Sequence, residues 1–377
     1  MRSTGAPARR SLYNGDKVWV ITRHDQAVAV LSDTRFSSDM TRPGFPLYTE
    51  LLEAARALPT LATMDPPLHT RLRKAVIGEF TMRRMNALRP EIQRIADELI
   101  DDMLTRQQPV DMVAAFSGPL VDRVICRLLG FSSSAMQEFV ATNFVPPGPR
   151  ETPIAFAQAN LASHMQATHK YFLQVIDELE HEPADNVLSR MIARHVASGE
   201  ITRDELANLA FVIFAAGQGP TVAMLNIGVA ALLERPDQLE IIKTEPERLS
   251  GAVEELLRYF SVLDLLVRVA VEDVEIGGTL IRRGDGVIVP NAAANRDEDM
   301  YPDPDTLDLH RSARHHLAFG HGIHQCLGAN LARVELEVAY STLFRRLPGL
   351  RLTVPAAELG PPQPGPLPEI HQIFVTW

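Results

Sequence analysis

Residues 319–333 read Phe-Gly-His-Gly-Ile-His-Gln-Cys-Leu-Gly-Ala-Asn-Leu-Ala-Arg, and the rest of the chain is best understood outward from this stretch. Gly320 and Gly322 allow a short loop to take positive φ and to approach a flat object closely. The loop offers Cys326 and then enters an apolar helix. A thiol at a helix N-terminus meets the positive end of the macrodipole and the free N–H groups of Leu327, Gly328 and Ala329, which are expected to lower its pKa and hold a thiolate as a metal ligand.

Thiolate is one of the axial ligands of haem iron, and the one that promotes O–O cleavage. Two other readings stand beside it. A lone cysteine on a helix is often a small buried hydrophobe. A zinc site would need Cys326 with His310, His315, His316, His321 or His324, but structural zinc sites bring paired ligands at short spacing and there is one Cys here.

The pattern Phe-Gly-x-Gly-x-His-x-Cys-x-Gly followed by Leu-Ala-Arg resembles the haem-thiolate signature of the cytochrome P450 family, with Cys326 in the position of the iron ligand. The resemblance implies the cytochrome P450 fold, mainly α with small antiparallel β-sheets, and haem b (heme, iron protoporphyrin IX) as cofactor. It places Phe319, Gly320, His324 and Gly328 around that group.

Composition sets the outer limits. The 377 residues include 46% hydrophobic and 22% charged residues, 37 basic against 47 acidic, and two cysteines, Cys126 and Cys326. That is the balance of a soluble globular protein; it argues against a nucleic-acid partner and against a disulfide framework. No apolar run approaches the roughly eighteen residues of a membrane span, and Met1 to Arg10 lack a signal-peptide core. A cytoplasmic protein without a membrane partner is expected. No domain boundary is visible, so one domain is expected over 1–377, with an N-terminus shorter than the family's.

Taken in order, Val18–Ile21 reads as a strand and Asp25–Leu31 as a helix. Ser38–Thr63 suggests a long loop with a short helix, which in the family lies over the haem, so Thr63 is a substrate candidate. In Met64-Asp65-Pro66-Pro67-Leu68-His69-Thr70-Arg71-Leu72-Arg73 a helix starts, and His69 and Arg73 lie four apart on one face, an arrangement suited to carboxylates. By resemblance they bind haem propionates. Arg84–Met103 and Val110–Leu129 follow as amphipathic helices, the second carrying Cys126 on its apolar side. Asn143–Pro153, rich in proline, is a loop and by resemblance part of the lid over the substrate channel.

Ile201–Leu233 is the longest helical pattern, roughly 45 Å at 1.5 Å per residue, with Thr202 as cap. Ala215-Ala216-Gly217-Gln218-Gly219-Pro220-Thr221 interrupts it, and Pro220 pushes against the Ala216 carbonyl, predicting a kink. The family carries Ala-Gly-x-acid-Thr-Thr here, above the iron, where the acid and first Thr deliver protons. This chain has Gly219 and Pro220 in those places and keeps only Thr221. Gln218, Thr221, a water at the Ala216 carbonyl, or the substrate would have to substitute.

Glu247–Tyr259 is a further helix, and Glu255 and Arg258 resemble the family's buried Glu-x-x-Arg pair, a structural role. Ser261–Val267 matches the segment that passes over the haem, so Ser261, Val262, Asp264 and Leu265 are substrate candidates with Phe211 and Ala215. Ala216 and Arg268 join the cofactor set, Arg268 as a third propionate ligand. Val269–Val289 predicts small antiparallel strands, the haem loop leads into a helix over Leu327–Arg345, and Glu369–Thr376 is a final strand preceded by a turn with a substrate contact at Ile370.

No flavin or iron–sulfur pattern is present, so electrons must arrive from ferredoxin and ferredoxin reductase. Arg71, Lys74, Arg83, Arg84, Arg314, Arg333, Arg345 and Arg346 are expected to form a basic proximal face for that partner. The small-molecule substrate is expected to be a natural product. Loss of the acid–Thr pair points to oxidative coupling of an aromatic molecule such as an indole-containing cyclic dipeptide, set against plain hydroxylation of a macrolide, terpenoid or steroid. A haem gas sensor and a catalytically silent P450-fold partner protein are the readings from outside the enzyme class.

Overall fold

Amphipathic periodicity becomes a helical protein with small sheets at one side. The computed structural model describes residues 5–56, 59–143, 153–359, 370 and 372–377. From the N-terminus come β1 (Ala8–Ser11), β2 (Lys17–Val20), α1 (His24–Ser32), β3 (Phe36–Ser37), α2 (Glu50–Ala55), α3 (Leu68–Ile77), α4 (Met82–Ala87), α5 (Arg89–Thr105) and β4 (Val110–Asp111). Then follow α6 (Gly118–Leu129), α7 (Ser133–Asn143), α8 (Pro153–His181), α9 (Val187–Met191), α10 (Arg203–Leu233), α11 (Pro236–Thr244) and α12 (Leu249–Phe260). The chain ends with β5 (Leu265–Ala270), β6 (Val274–Ile276), β7 (Thr279–Ile281), β8 (Gly286–Pro290), α13 (Asn291–Ala294), α14 (Ala329–Arg346), β9 (Arg351–Leu352) and β10 (Phe374–Thr376).

The start of α10 is fixed by a capping box. Thr202 Oγ1 accepts from the Glu205 N–H at 3.1 Å, and Glu205 accepts from the Thr202 N–H at 2.9 Å, which gives two otherwise orphaned donors a partner. Glu205 also receives Arg71 Nη1 at 3.0 Å, so α3 is pinned to the same point. Pro220 lies inside α10, but the helix runs unbroken from Arg203 to Leu233; what proline removes is the N–H that the Ala216 carbonyl would have received. By length and composition α10 could cross a membrane, contrary to the expectation that no such run exists. Here it packs against α6, α8 and α14.

The main core joins α5, α6, α10, α12 and α14 through residues such as Ile92, Leu99, Ile125, Leu206, Val229, Leu256 and Leu343. The helix expected over Val110–Leu129 is divided. Val110 pairs with Val375 in a small sheet, a wide turn covers Val113–Ser117, and α6 starts afresh at Gly118-Pro119, where proline suits a first turn whose N–H would be unpaired in any case.

The larger sheet has the order β1-β2-β8-β5-β3. It is not wholly antiparallel, as was expected: β2 and β8 run parallel, Val18 opposite Gly286 and Val20 opposite Ile288. These two strands come from distant parts of the chain, so no tight turn dictates their direction. β5 and β8 pair antiparallel with Arg268 opposite Val287, and this pairing carries Arg268 to the edge of the site. Residues 144–152 of the expected lid loop, and 360–369 of the turn before β10, lie outside the described residues.

Candidate functional site

Gly320 and Gly322 take φ of +66° and +72°. A Cβ on Gly322 would stand 2.2 Å from the Leu31 carbonyl oxygen, so only glycine lets the loop rest on α1. The Cys326 N–H donates to the Phe319 carbonyl at 2.8 Å and closes the loop, after which Gly328 caps α14.

The Cys326 side chain is reachable, and its sulfur accepts from the N–H groups of Gly328 and Ala329, two of the three donors expected. The expected fall in pKa does not follow. Desolvation by the ring of protein outweighs those hydrogen bonds and the charges of Arg73 and Arg333, and pushes the thiol up. Iron, whose own positive charge favours the thiolate, would reverse that balance.

Around the loop lies a set of basic side chains with few acceptors. His69 on α3 is 1% exposed, and both of its ring nitrogens lack a partner, as does Nδ1 of His324; the two rings are 4.2 Å apart. Arg268 is 6% exposed and turns one N–H back to the Val267 carbonyl at 2.7 Å. Arg73 donates to the Gln325 carbonyl at 2.5 Å. Burial, with the charges of Arg268, His69 and Arg73, pushes His324 down to about 3; burial likewise pulls Arg268 to about 10. The nearby acid Asp65 is occupied by the Ser37 hydroxyl and by the Ser38 N–H at 2.9 Å. Buried donors in native proteins find partners. A reachable thiol beside four crowded basic groups fits one ligand that brings both a metal and carboxylates, as haem does.

The far wall is α10. Ala215 and Ala216 are exposed midway along this helix, at the level where the family resemblance places the iron. The four residues expected to handle protons, Gln218 to Thr221, follow directly in the same helix. Gly219 has no side chain and Pro220 no donor. Gln218 turns away and donates through Nε2 to Asp122 on α6. Thr221 is 7% exposed and follows one turn after Gly217, where a Cβ would meet Ile125 of α6 at 3.0 Å.

Several of the expected substrate contacts have partners within the protein. Ser261 is buried in a left-handed conformation at φ +43°; its hydroxyl donates to the Arg258 carbonyl at 2.9 Å and accepts from Asn295 at 2.8 Å. Asp264 accepts from the Ala292 N–H at 2.7 Å, holding the start of α13. Val262 belongs to the main core, and the Thr63 hydroxyl is tied to Thr60 by bonds of 2.9 and 3.2 Å. Phe211 and Ile370 pack partly buried against the core, and Leu265 begins β5 opposite Pro290.

Glu255 and Arg258 are both fully buried, joined at 2.7 and 2.8 Å. Arg258 also donates to the carbonyls of Asn295 and Pro304, each at 2.9 Å, while Glu255 receives Arg311 at 3.2 Å and the Asp308 N–H at 3.1 Å. A buried ion pair is sustained only when its remaining donors and acceptors are satisfied in this way.

The basic face is smaller than expected. Arg71 pairs with Glu205 at 2.5 Å, Arg84 with Glu79 at 3.6 Å, and Arg346 with Asp97 at 2.8 Å. Arg333 grips Glu254 at 2.6 and 3.1 Å and lies over the Phe319 ring at 4.7 Å. Lys74, Arg83, Arg314 and Arg345 have no ion pair among the described residues. The Glu254–Arg333–His316 cluster, with His316 3.2 Å from Glu254, escaped the sequence reading because its members are far apart in the chain.

Comparison with known proteins agrees with this geometry. The family model for cytochrome P450 matches residues 10–348. Pentalenic acid synthase of Streptomyces avermitilis is 44% identical, across 99% of this chain and 92% of that protein. Vitamin D3 dihydroxylase of Streptomyces griseolus is 40% identical, across 100% and 92%. The crystal structure of mycinamicin VIII C21 methyl hydroxylase from Micromonospora griseorubida, bound to mycinamicin VIII, superposes with a TM-score of 0.90 at 34% identity, across 100% of this chain and 95% of that one.

Proposed function

Since the chain belongs to the cytochrome P450 family, we propose that it hydroxylates an apolar, medium-sized natural product of the terpenoid or macrolide kind. It is a haem-thiolate monooxygenase of the type found in bacterial secondary metabolism, with haem b as cofactor. The observation that carries the substrate class is the position of Asp264. The one charge in Ser261–Val267 is turned to the Ala292 N–H, and the exposed positions in the middle of α10 are Ala215 and Ala216. Neither wall offers an ion to a charged substrate, so recognition rests on shape and apolar contact.

Haem bound here would supply dioxygen activation, with the electron push of a thiolate ligand favouring O–O cleavage. The protein's own residues do the rest. Cys326 would hold the iron. His69, Arg73, Arg268 and His324 would receive the propionates and so fix the plane of the group, while Glu255 and Arg258 hold the segment that leads into the loop. Ala215 and Ala216 keep the reaction space narrow and dry. Electrons come from a ferredoxin and its reductase in the cytoplasm, docked on Lys74, Arg83, Arg314 and Arg345.

A second reading is oxidative coupling of an aromatic substrate. It is favoured by Gly219 and Pro220, which leave no acid or alcohol side chain in the usual place. The experiment is a screen of terpenoid, macrolide and indole-dipeptide ligands for low- to high-spin spectral shifts, followed by turnover under isotopically labelled dioxygen. One labelled oxygen in the product supports hydroxylation. A coupled product without label establishes the second reading.

A further inference from the structure

A polar cleft lies beside α6, the helix that packs against α10. This cleft, of about 220 Å³, lies between α5, α6 and α7 and is lined by Asp102, Arg106, Asp122, Arg123, Ser133 and Gln137 among others. Asp122 is half-buried and its Oδ1 accepts from Gln218 Nε2. Gln218 is the residue next to Gly219. At this level α10 is thin: Ala215, Ala216, Gly217 and Gly219 carry a methyl group or nothing, and the Ala216 carbonyl lacks its helical N–H because residue 220 is proline.

We propose that Asp122 is the carboxyl from which protons enter the oxygen-activating cavity, taking over from α6 the task that a side chain of α10 has lost. Gln218 is a positioning residue: its amide N–H holds the Asp122 carboxyl, and a water between its amide oxygen and the Ala216 carbonyl, which proline deprives of its helical N–H, would complete the path. The proton leaves the Asp122 carboxyl along that water and is replaced from solvent in the cleft, so Asp122 returns to its starting state in each cycle. The proposal rests on the monooxygenase reading above.

The surroundings suit this role. Burial raises the Asp122 pKa, partly offset by the hydrogen bond from Gln218, and a carboxyl whose pKa moves towards neutrality is a better donor at that pH. From α5, Asp102 faces the cleft, with Arg106 donating to it at 3.0 Å. On α6, Arg123 is held towards Glu98 at 3.5 Å and Cys126, pushed up to about 12 by burial and by Asp122, is a neutral thiol. From α7 and α10 only the neutral Ser133, Ser134, Gln137 and Gln218 are present. No cation grips Asp122 itself among the described residues.

The test uses haem-loaded wild type, Asp122→Asn, Asp122→Glu and Gln218→Ala. Expected are a fall of roughly a hundredfold in oxygen-dependent product formation for Asp122→Asn, within the usual range for loss of a proton donor, a larger solvent isotope effect, diversion of electrons to free hydrogen peroxide, and recovery with Asp122→Glu. Gln218→Ala should fall less and in the same direction. Turnover driven by added hydrogen peroxide, which brings its own protons, should be unchanged in all four. Loss of peroxide-driven turnover in step with the oxygen-driven reaction would show that Asp122 only braces α6 against α10, and would overturn the proposal. So would unchanged coupling in Asp122→Asn. A separate readout is infrared difference spectroscopy of the haem-loaded protein: a carboxyl band that titrates above the ordinary aspartate range and vanishes in Asp122→Asn supports the proposal, and its absence refutes it even if no substrate is found and the monooxygenase reading fails.

Discussion

The Tyr340 hydroxyl donates to the Met224 carbonyl at 2.7 Å, fastening α14, the helix that follows Cys326, to the middle of α10. Gly228 makes room for it: a Cβ there would stand 2.1 Å from the Tyr340 oxygen. Tyr340→Phe keeps the ring and strands one buried acceptor contact, a loss of about 1 kcal/mol. Gly228→Ala forces the ring aside and should cost about 1–3 kcal/mol. Urea unfolding of both single variants and the double variant should show a sum that is less than additive, since removing the hydroxyl relieves part of the clash.

The buried pair at Glu255 and Arg258 makes a sharper demand. Arg258→Leu leaves Glu255 buried with only Arg311 and a backbone N–H, and breaking such a pair costs about 3–5 kcal/mol. The expected outcome is poor haem incorporation, read as a low ratio of Soret to protein absorbance. Replacing both residues by Leu and Met should recover part of the loss, because no uncompensated charge remains.

Acid stability should report on Glu254. Burial works against its charge, but the hydrogen bonds and charges of His316 and Arg333 prevail and set its pKa at about 2. A carboxyl depressed in the folded state stabilises it above the unfolded pKa, and that stability is lost as pH falls through the folded value. Between pH 6 and 3 the wild type should lose roughly 2 kcal/mol more than Glu254→Gln, taking 1.36 kcal/mol per unit. Equal slopes for the two proteins in denaturant titrations at the two pH values would contradict the assignment.

What the sequence disclosed depended on how local the signal was. The loop at Cys326 is legible because glycine, histidine and cysteine are fixed within fifteen residues, and their φ angles and hydrogen bonds follow from those identities. The capping box of α10 is legible for the same reason. The partners of Asp264, Ser261 and Gln218 were not legible, because a side chain's direction is decided by groups such as Ala292, Asn295 and Asp122, which lie 28, 34 and 96 positions away. The basic face was overcounted on the same ground: nothing near Arg333 in the chain announces Glu254. The parallel pairing of β2 with β8 likewise joins segments that no local pattern connects.

Gly322→Ala separates loop geometry from ligand chemistry. The residue sits at φ +72° with its would-be Cβ 2.2 Å from the Leu31 carbonyl, so both backbone strain and a collision oppose alanine. Strain of this kind costs about 1–3 kcal/mol, and it falls on the loop that carries Cys326. The ferrous carbon monoxide spectrum should shift from thiolate-type towards thiol-type absorption while unfolding in urea changes little beyond that cost.

His69 offers a prediction whose two halves have opposite signs. With Asp65 held by Ser37 and Ser38, its two unpartnered ring nitrogens make His69 a liability in the protein alone, and each buried unsatisfied group costs about 1–3 kcal/mol. His69→Phe fills the same space against His324 without that penalty, so the haem-free protein should be as stable as the wild type or more stable. If the ring exists to receive a propionate, the same change must weaken haem binding, by about tenfold for one lost charge-assisted hydrogen bond. A purely structural histidine would move both measurements the same way. Thermal unfolding of the haem-free protein and haem transfer to an acceptor globin, measured on the same pair of proteins, decide between the two.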